Sequence, residues 1–105
     1  MKIIWTDFAI ENLKDIFDYF SNKVSNETAH KIRKQILNST NQLINNPKSG
    51  QLEFNLQKLK QNHRYVVSGN YKIIYRIYAH QIIISDVFDT RQNPTKMNDE
   101  DRDKK

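Results

Sequence analysis

The stretch HRYVVSGNYKIIYRIYAHQIIISDVFDTR, His63–Arg91, decides the fold. Three runs rich in Val, Ile and Tyr, at His63–Val67, Tyr71–Tyr78 and Gln81–Asp89, are separated only by Ser68-Gly69-Asn70 and by Ala79-His80. Gaps this short leave room for tight turns alone, so the runs are expected to form an antiparallel meander. Side chains alternate along a strand, which sends Tyr71, Ile73, Tyr75 and Ile77 to one face and Lys72, Ile74, Arg76 and Tyr78 to the other. The first face is expected to meet a helical layer and the second to carry charge.

That helical layer is legible upstream. Ala9, Leu13, Ile16, Phe17, Phe20 and Val24 recur every three or four residues, which draws one apolar stripe on a polar helix. Thr6-Asp7 before it and Ser25-Asn26 after it supply side-chain oxygens that cap helices. A second period, Ala29, Ile32, Ile36, Leu37, Leu43 and Ile44, runs up to Asn45-Asn46-Pro47. The short connection makes the two helices an antiparallel hairpin. Ile3-Ile4-Trp5 reads as a strand entering the first helix, Pro47–Gly50 as a turn, and 51–60 as a connector or short irregular strand. The expected fold is α+β, an N-terminal strand and a helix hairpin packed on a twisted antiparallel sheet, in the order β-α-α-β-β-β. One core is expected from Ala9, Leu13, Ile16, Phe17, Phe20, Ile32, Ile36 and Leu43 together with Tyr71, Ile73, Tyr75 and Ile77. Residues 1–94 form the single domain, and 95–105 read as a charged, flexible tail.

Composition narrows the function. A chain of 105 residues has room for one core, and the absence of Cys excludes disulfide scaffolds, cysteine nucleophiles and thiolate zinc sites. Three scattered His do not suggest a metal cage, so no metal and no cofactor are expected. No apolar run approaches a membrane span of about 20 residues and the start does not read as a signal peptide, which leads to a cytoplasmic expectation with no membrane partner. Gly-rich phosphate loops, Ser/His/Asp arrangements and paired-carboxylate signatures are missing from the pattern. The net charge of +5 is concentrated at 58–96, where seven basic residues meet two acidic ones. Such a region suits a phosphate backbone or an acidic peptide, although a solvated basic surface gives the same count. Its candidates are His63, Arg64, Lys72, Arg76 and Arg91, with Tyr65 and Tyr78 among them. Cations on one sheet face could hold a phosphodiester and stabilise an oxyanion without metal. His63 has a ring suited to acid or base work, but alternation sends His63 and Arg64 to opposite faces.

Ile4-Trp5-Thr6 with Ala9, Leu13, Ile16 and Tyr19, then Leu43 to Asn46-Pro47 and Gly50, then Tyr71–Ile77, then Val87–Pro94, together resemble the RelE/ParE superfamily of bacterial toxins over Lys2 to about Met97. The resemblance implies the toxin half of a type II toxin–antitoxin module, with a cognate antitoxin as partner. In the ParE-like branch the target is DNA gyrase, and this branch is favoured. In the RelE-like branch the target is messenger RNA on the ribosome, cleaved by a metal-independent endoribonuclease. Lys72 falls where ribonuclease members carry a strand Arg, and Arg91 where they place a basic residue at the end of the last strand. His63 and Arg64 lie roughly where other basic residues occur. The ribonuclease candidates are thus Lys72, Arg91 and Arg64, and the candidates for binding a target or phosphate are Lys72, Arg76, Arg91 and His63. Past Arg91 the chain reads Gln92-Asn93-Pro94, without the Tyr or His of the ribonuclease branch. A third alternative is a non-toxic binding module that uses the same basic face.

Overall fold

A computed structural model describes residues 1–98. Strand β1 (Lys2–Trp5) ends at Thr6, whose hydroxyl accepts the Ala9 N–H at 3.1 Å and caps α1 (Asp7–Lys23). Ser25 repeats the device at the head of α2 (Asn26–Ser39), accepting the Thr28 N–H at 3.1 Å. Each cap satisfies one of the free N–H groups of a first helical turn. The apolar period predicts one helix up to Asn45, but α2 stops at Ser39 and a separate turn, α3 (Gln42–Asn45), follows. The Ser39 hydroxyl donates to the Ile36 carbonyl at 2.6 Å and that of Thr40 to the Leu37 carbonyl at 2.7 Å. These bonds compete with the backbone ladder that would prolong the helix.

The chain then crosses to the far edge of the sheet and returns strand by strand. Strands β2 (Gln51–Leu52), β3 (Arg64–Ser68), β4 (Tyr71–Tyr78) and β5 (Gln81–Asp89) pair antiparallel in sequence, and the order across the sheet is β1-β5-β4-β3-β2. The last strand of the meander thereby arrives beside the first strand running the same way. It pairs with β1 in parallel, from Lys2 opposite Gln81 to Trp5 opposite Ile84. The sheet is therefore mixed, and the expectation of antiparallel pairing holds for all of it except β1. The turn between β4 and β5 is made by Ala79 and His80, both left-handed at φ 51° and 60°, the twist a two-residue hairpin favours. Opposite β4 the pairing jumps from Ile74–Asp86 to Tyr75–Ile84, so Ser85 forms a β-bulge.

The helix hairpin covers one face of this sheet. Ala9, Ile36, Leu43, Ile73, Tyr75, Ile82 and Ile84 are fully buried between the two layers, with Leu13, Ile16, Phe20, Ile32 and Ile77 partly buried around them. Phe17, expected in this core, lies outside it. Its ring is half-buried with the His30 ring edge-on at 4.9 Å and the Arg33 guanidinium 4.7 Å from its centroid. Tyr75 also fixes the 47–50 turn, since its hydroxyl donates to the Pro47 carbonyl at 2.7 Å and accepts the Gly50 N–H at 3.0 Å. A Cβ on Gly50 would stand 2.6 Å from that hydroxyl and 2.7 Å from the Tyr65 carbonyl, so only glycine fits.

The second face departs from expectation. Ile74, assigned by alternation to the charged side, is fully buried with Phe88 and Leu56, and Tyr65 and Met97 pack against them. The cover consists of two 3-10 turns, Phe54–Leu59 and Pro94–Asn98, joined where the Asn98 amide donates to the Asn55 carbonyl at 2.6 Å. Of the segment 95–105 expected to be a tail, residues 95–98 belong to this cover, and 99–105 lie outside the described residues.

Candidate functional site

Three of the five candidate cations or rings share the second sheet face. Lys72 and Arg76 are two alternations apart on β4, and extending the Arg64–Tyr75 register by one residue sets His63 opposite Arg76. Their environments differ. The Lys72 ammonium lies 2.8 Å from the Glu53 carboxylate and 4.1 Å from the centroid of the Tyr65 ring, so it is already held by a charge and an aromatic face. Glu53 is buried and also accepts the backbone and side-chain N–H groups of Asn55 at 3.2 and 3.1 Å. Burial pushes its carboxyl pKa up, but the hydrogen bonds from Lys72 and Asn55 outweigh this and leave it below the ordinary value. Lys72 must leave Glu53 before it can meet a phosphate.

His63 is buried, and its Nδ1 has no hydrogen-bond partner. Burial, and then the positive charge of Arg76, hold its pKa below the ordinary histidine value, so the ring is neutral at pH 7. Arg76 itself lies 4.9 Å from the centroid of the Tyr78 ring and has no carboxylate partner among the described residues.

The other two candidates are elsewhere. Arg64 pairs with Tyr75 and so points to the helix face, where it donates to the Gly50 carbonyl at 2.8 Å and to that of Lys48 at 3.3 Å. It braces the turn before β2. Arg91 chelates Asp89 through Nε at 2.9 Å and Nη2 at 2.7 Å. The Arg91 hydrogen bond lowers the Asp89 pKa, and Asp89 in turn raises that of Arg91. This pair walls a groove of about 680 Å³ between α1 and the ends of β4 and β5, together with Asn12, Ile16, Tyr19, Tyr71 and Lys96. Beneath it Asn12 donates to the Asp86 carboxylate at 2.9 Å, a buried link between α1 and β5.

Sequence reading missed Glu53 and the Asn12–Asp86 pair. The spacing of Glu53 and Asn55 is a capping signal that could have been read, since the Glu53 side chain caps the turn that follows it. Nothing local could have joined Asn12 to Asp86 across 74 positions. No group of three or more His, Asp or Glu suited to a metal occurs among the described residues, and none of their helices is long and apolar enough to cross a membrane.

The chain matches the family model of the ParE toxin of type II toxin-antitoxin systems, parDE, over residues 3–94. Among solved structures it is similar to one described as the chromosomal ParDE TA system from P. aeruginosa. The two share 19% sequence identity and a TM-score of 0.70, over 85% of this chain and 95% of that one. Identity this low establishes the shared fold alone. No match is found among curated proteins. A helix hairpin on one face of a five-stranded mixed sheet thus belongs here to the RelE/ParE superfamily of toxins. Within that class, the chain belongs to the ParE toxin family of type II toxin–antitoxin systems. Membership supports a toxin role and an antitoxin partner.

Proposed function

We propose that this toxin inhibits growth in the cytoplasm by binding DNA gyrase, and that its cognate antitoxin neutralises it. The observation that carries this reading is the dispersal of the cations. Lys72 is committed to Glu53, Arg64 to two carbonyls on the opposite face, and Arg91 to Asp89 in a separate groove. Phosphodiester cleavage needs an acid, a base and a charge stabiliser converging within hydrogen-bonding reach of one phosphate. Lys72, Arg64 and Arg91 stand in three environments instead, whereas a surface that binds a protein needs no such convergence. The missing Tyr or His after Arg91 agrees with this.

Ribosome-dependent cleavage of messenger RNA is the second reading, favoured by the shared face of Lys72, His63 and Arg76. Controlled expression separates the two. Gyrase inhibition should give gyrase-linked DNA breaks in cells and, with purified gyrase and ATP, linear plasmid that accumulates with toxin concentration. Cleaved ribosome-associated transcripts with intact DNA would select the ribonuclease instead.

A further inference from the structure

The cover over the second sheet face stops halfway. It closes over Ile74, Phe88 and Tyr65, whereas nearer the Ala79-His80 turn Tyr78 is exposed and Ile4, Arg76 and Ile83 are only partly buried. Register defines what that open half presents. Ile4 lies opposite Ile83, Ile83 opposite Arg76, and Arg76 beside His63, a row across β1, β5 and β4 that ends at the residue before β3 and spans about 14 Å at ordinary strand spacing. The next row out is Lys2, Gln81 and Tyr78. Ile3, Trp5, Ile82, Ile84 and Ile77 all pack into the helix-side core, which fixes these rows on the other face. Ile4 and Ile83 are half-buried, and Tyr78 is 61% exposed.

Its chemistry is one-sided. Arg76 and Lys2 bring positive charge, and Lys60 stands with His63 on the wall of a small cavity of about 80 Å³ beside the row. Among the described residues, the carboxylate placed on this face is Glu53, which Lys72 occupies. Asp86 and Asp89 turn to the α1 side, where they meet Asn12 and the groove, and the remaining described acids are on the helices. An Arg laid over a Tyr, flanked by two Ile and with no carboxylate partner among the described residues, has the composition that anchors protein interfaces. So few cations, interleaved with aliphatic side chains, suit a folded acidic surface better than a nucleic-acid backbone, which recruits many phosphate contacts.

We infer that this open half of the sheet, centred on Arg76 and Tyr78 with Ile4, Ile83 and Lys2 around them, is where the toxin docks an acidic surface of its target protein. The inference rests on the reading that the toxin acts by binding, and it sets the target surface apart from the α1 groove. A carboxylate of the target completes Arg76, and an apolar side chain covers Ile83 and the Tyr78 ring.

The test uses the full chain with Arg76→Glu and Tyr78→Ala, and with Lys2→Glu as a milder variant far from the core. Lys34→Glu on α2 is the off-patch control. Circular dichroism and cognate-antitoxin affinity establish that each variant is folded. The readouts are growth inhibition and capture of purified gyrase. Arg76→Glu should weaken capture by about 30-fold or more and Tyr78→Ala by about 10-fold, with growth inhibition falling in step and antitoxin affinity unchanged within about 3-fold. Lys2→Glu should give a smaller loss in the same direction.

If wild type captures gyrase and Arg76→Glu and Tyr78→Ala capture it equally well, the docking surface is wrong while the gyrase reading stands. If wild type is toxic without capturing gyrase, the gyrase reading falls, and growth inhibition by the same variants decides the surface by itself. Loss of antitoxin affinity together with toxicity would assign the patch to the antitoxin and overturn the inference. So would variants that keep gyrase capture but lose binding to a labelled 30-mer DNA, which would make the partner a nucleic acid.

Discussion

The two faces of the sheet are built by different rules. On the helix face, seven fully buried residues from five segments lock two layers together, and nearly every contributor belongs to a regular element with its own apolar period. On the other face, three buried residues suffice, and the cover is a pair of 3-10 turns held by side chains, Glu53 with Lys72 and Asn98 with Asn55. The first face supplies cooperative stability through apolar area. The second is a local closure fastened by polar bonds, which leaves half of its sheet open.

The largest effect should come from the helix face. Ile73→Ala removes a fully buried side chain between the layers and should cost about 2–5 kcal/mol in urea unfolding. Leu13→Ala, at a half-buried position of the same core, should cost less. Equal losses at the two positions would mean that the layer has no graded centre.

Glu53→Ala should cost about 1–3 kcal/mol, because it strips the closure of a buried acceptor for Lys72 and Asn55. The pH dependence gives the sign. The folded-state pKa of Glu53 lies below its unfolded value near 4.5, so its contribution is complete above that pH and is lost as pH falls through the folded value. Wild type and Glu53→Gln should therefore differ by a constant amount at neutral pH and converge in acid. A gap that persists undiminished at pH 2 would separate the closure from this carboxylate.

His63 should act more weakly and at higher pH. Its pKa is depressed by burial and by Arg76, so the unfolded chain takes up the proton first. Stability from this group is complete above about pH 6.5 and is lost as pH falls through the lower folded value. A ring titration followed by NMR should show a midpoint below 6.5 that moves up in Arg76→Gln. A midpoint at the ordinary value in both proteins would remove His63 from the neighbourhood of Arg76.

The smallest expected effect is that of Arg91→Ala, an exposed side chain bound to its own strand end. Its unfolding midpoint should match wild type. A clear fall would show that the Arg91–Asp89 pair holds the groove closed against solvent.

What was legible follows the same division. Thr6 and Ser25 announced the helix starts, alternation in Tyr71–Tyr78 named the helix-facing residues, and Ala79-His80 marked a turn, because each signal is contained within a few neighbouring residues. The parallel partnership of β1 with β5 was not, since it depends on where the chain lies after the hairpin and the whole meander have been laid down. The burial of Ile74 was missed because its cover is made of segments without period, among them Leu56 between Asn55 and Gln57. For the candidate site, residue type was readable but engagement was not. Lys72, Arg64 and Arg91 look alike in sequence, and only distant partners such as Glu53 and the Gly50 carbonyl tell them apart.

The bulge at Ser85 works as a counting device. Before it, Ile82 and Ile84 turn to the helices; after it, Val87 takes that side and Phe88 the other, so one strand feeds both hydrophobic clusters. Deleting Ser85 would remove the extra residue and restore strict alternation with both addresses kept, since Ile84, Val87 and Asp89 would then fall on successive helix-side positions and Phe88 on the other face. A one-residue deletion there should therefore straighten the strand and leave the destination of every side chain that follows unchanged, whereas one further residue inserted after Ser85 would exchange them all.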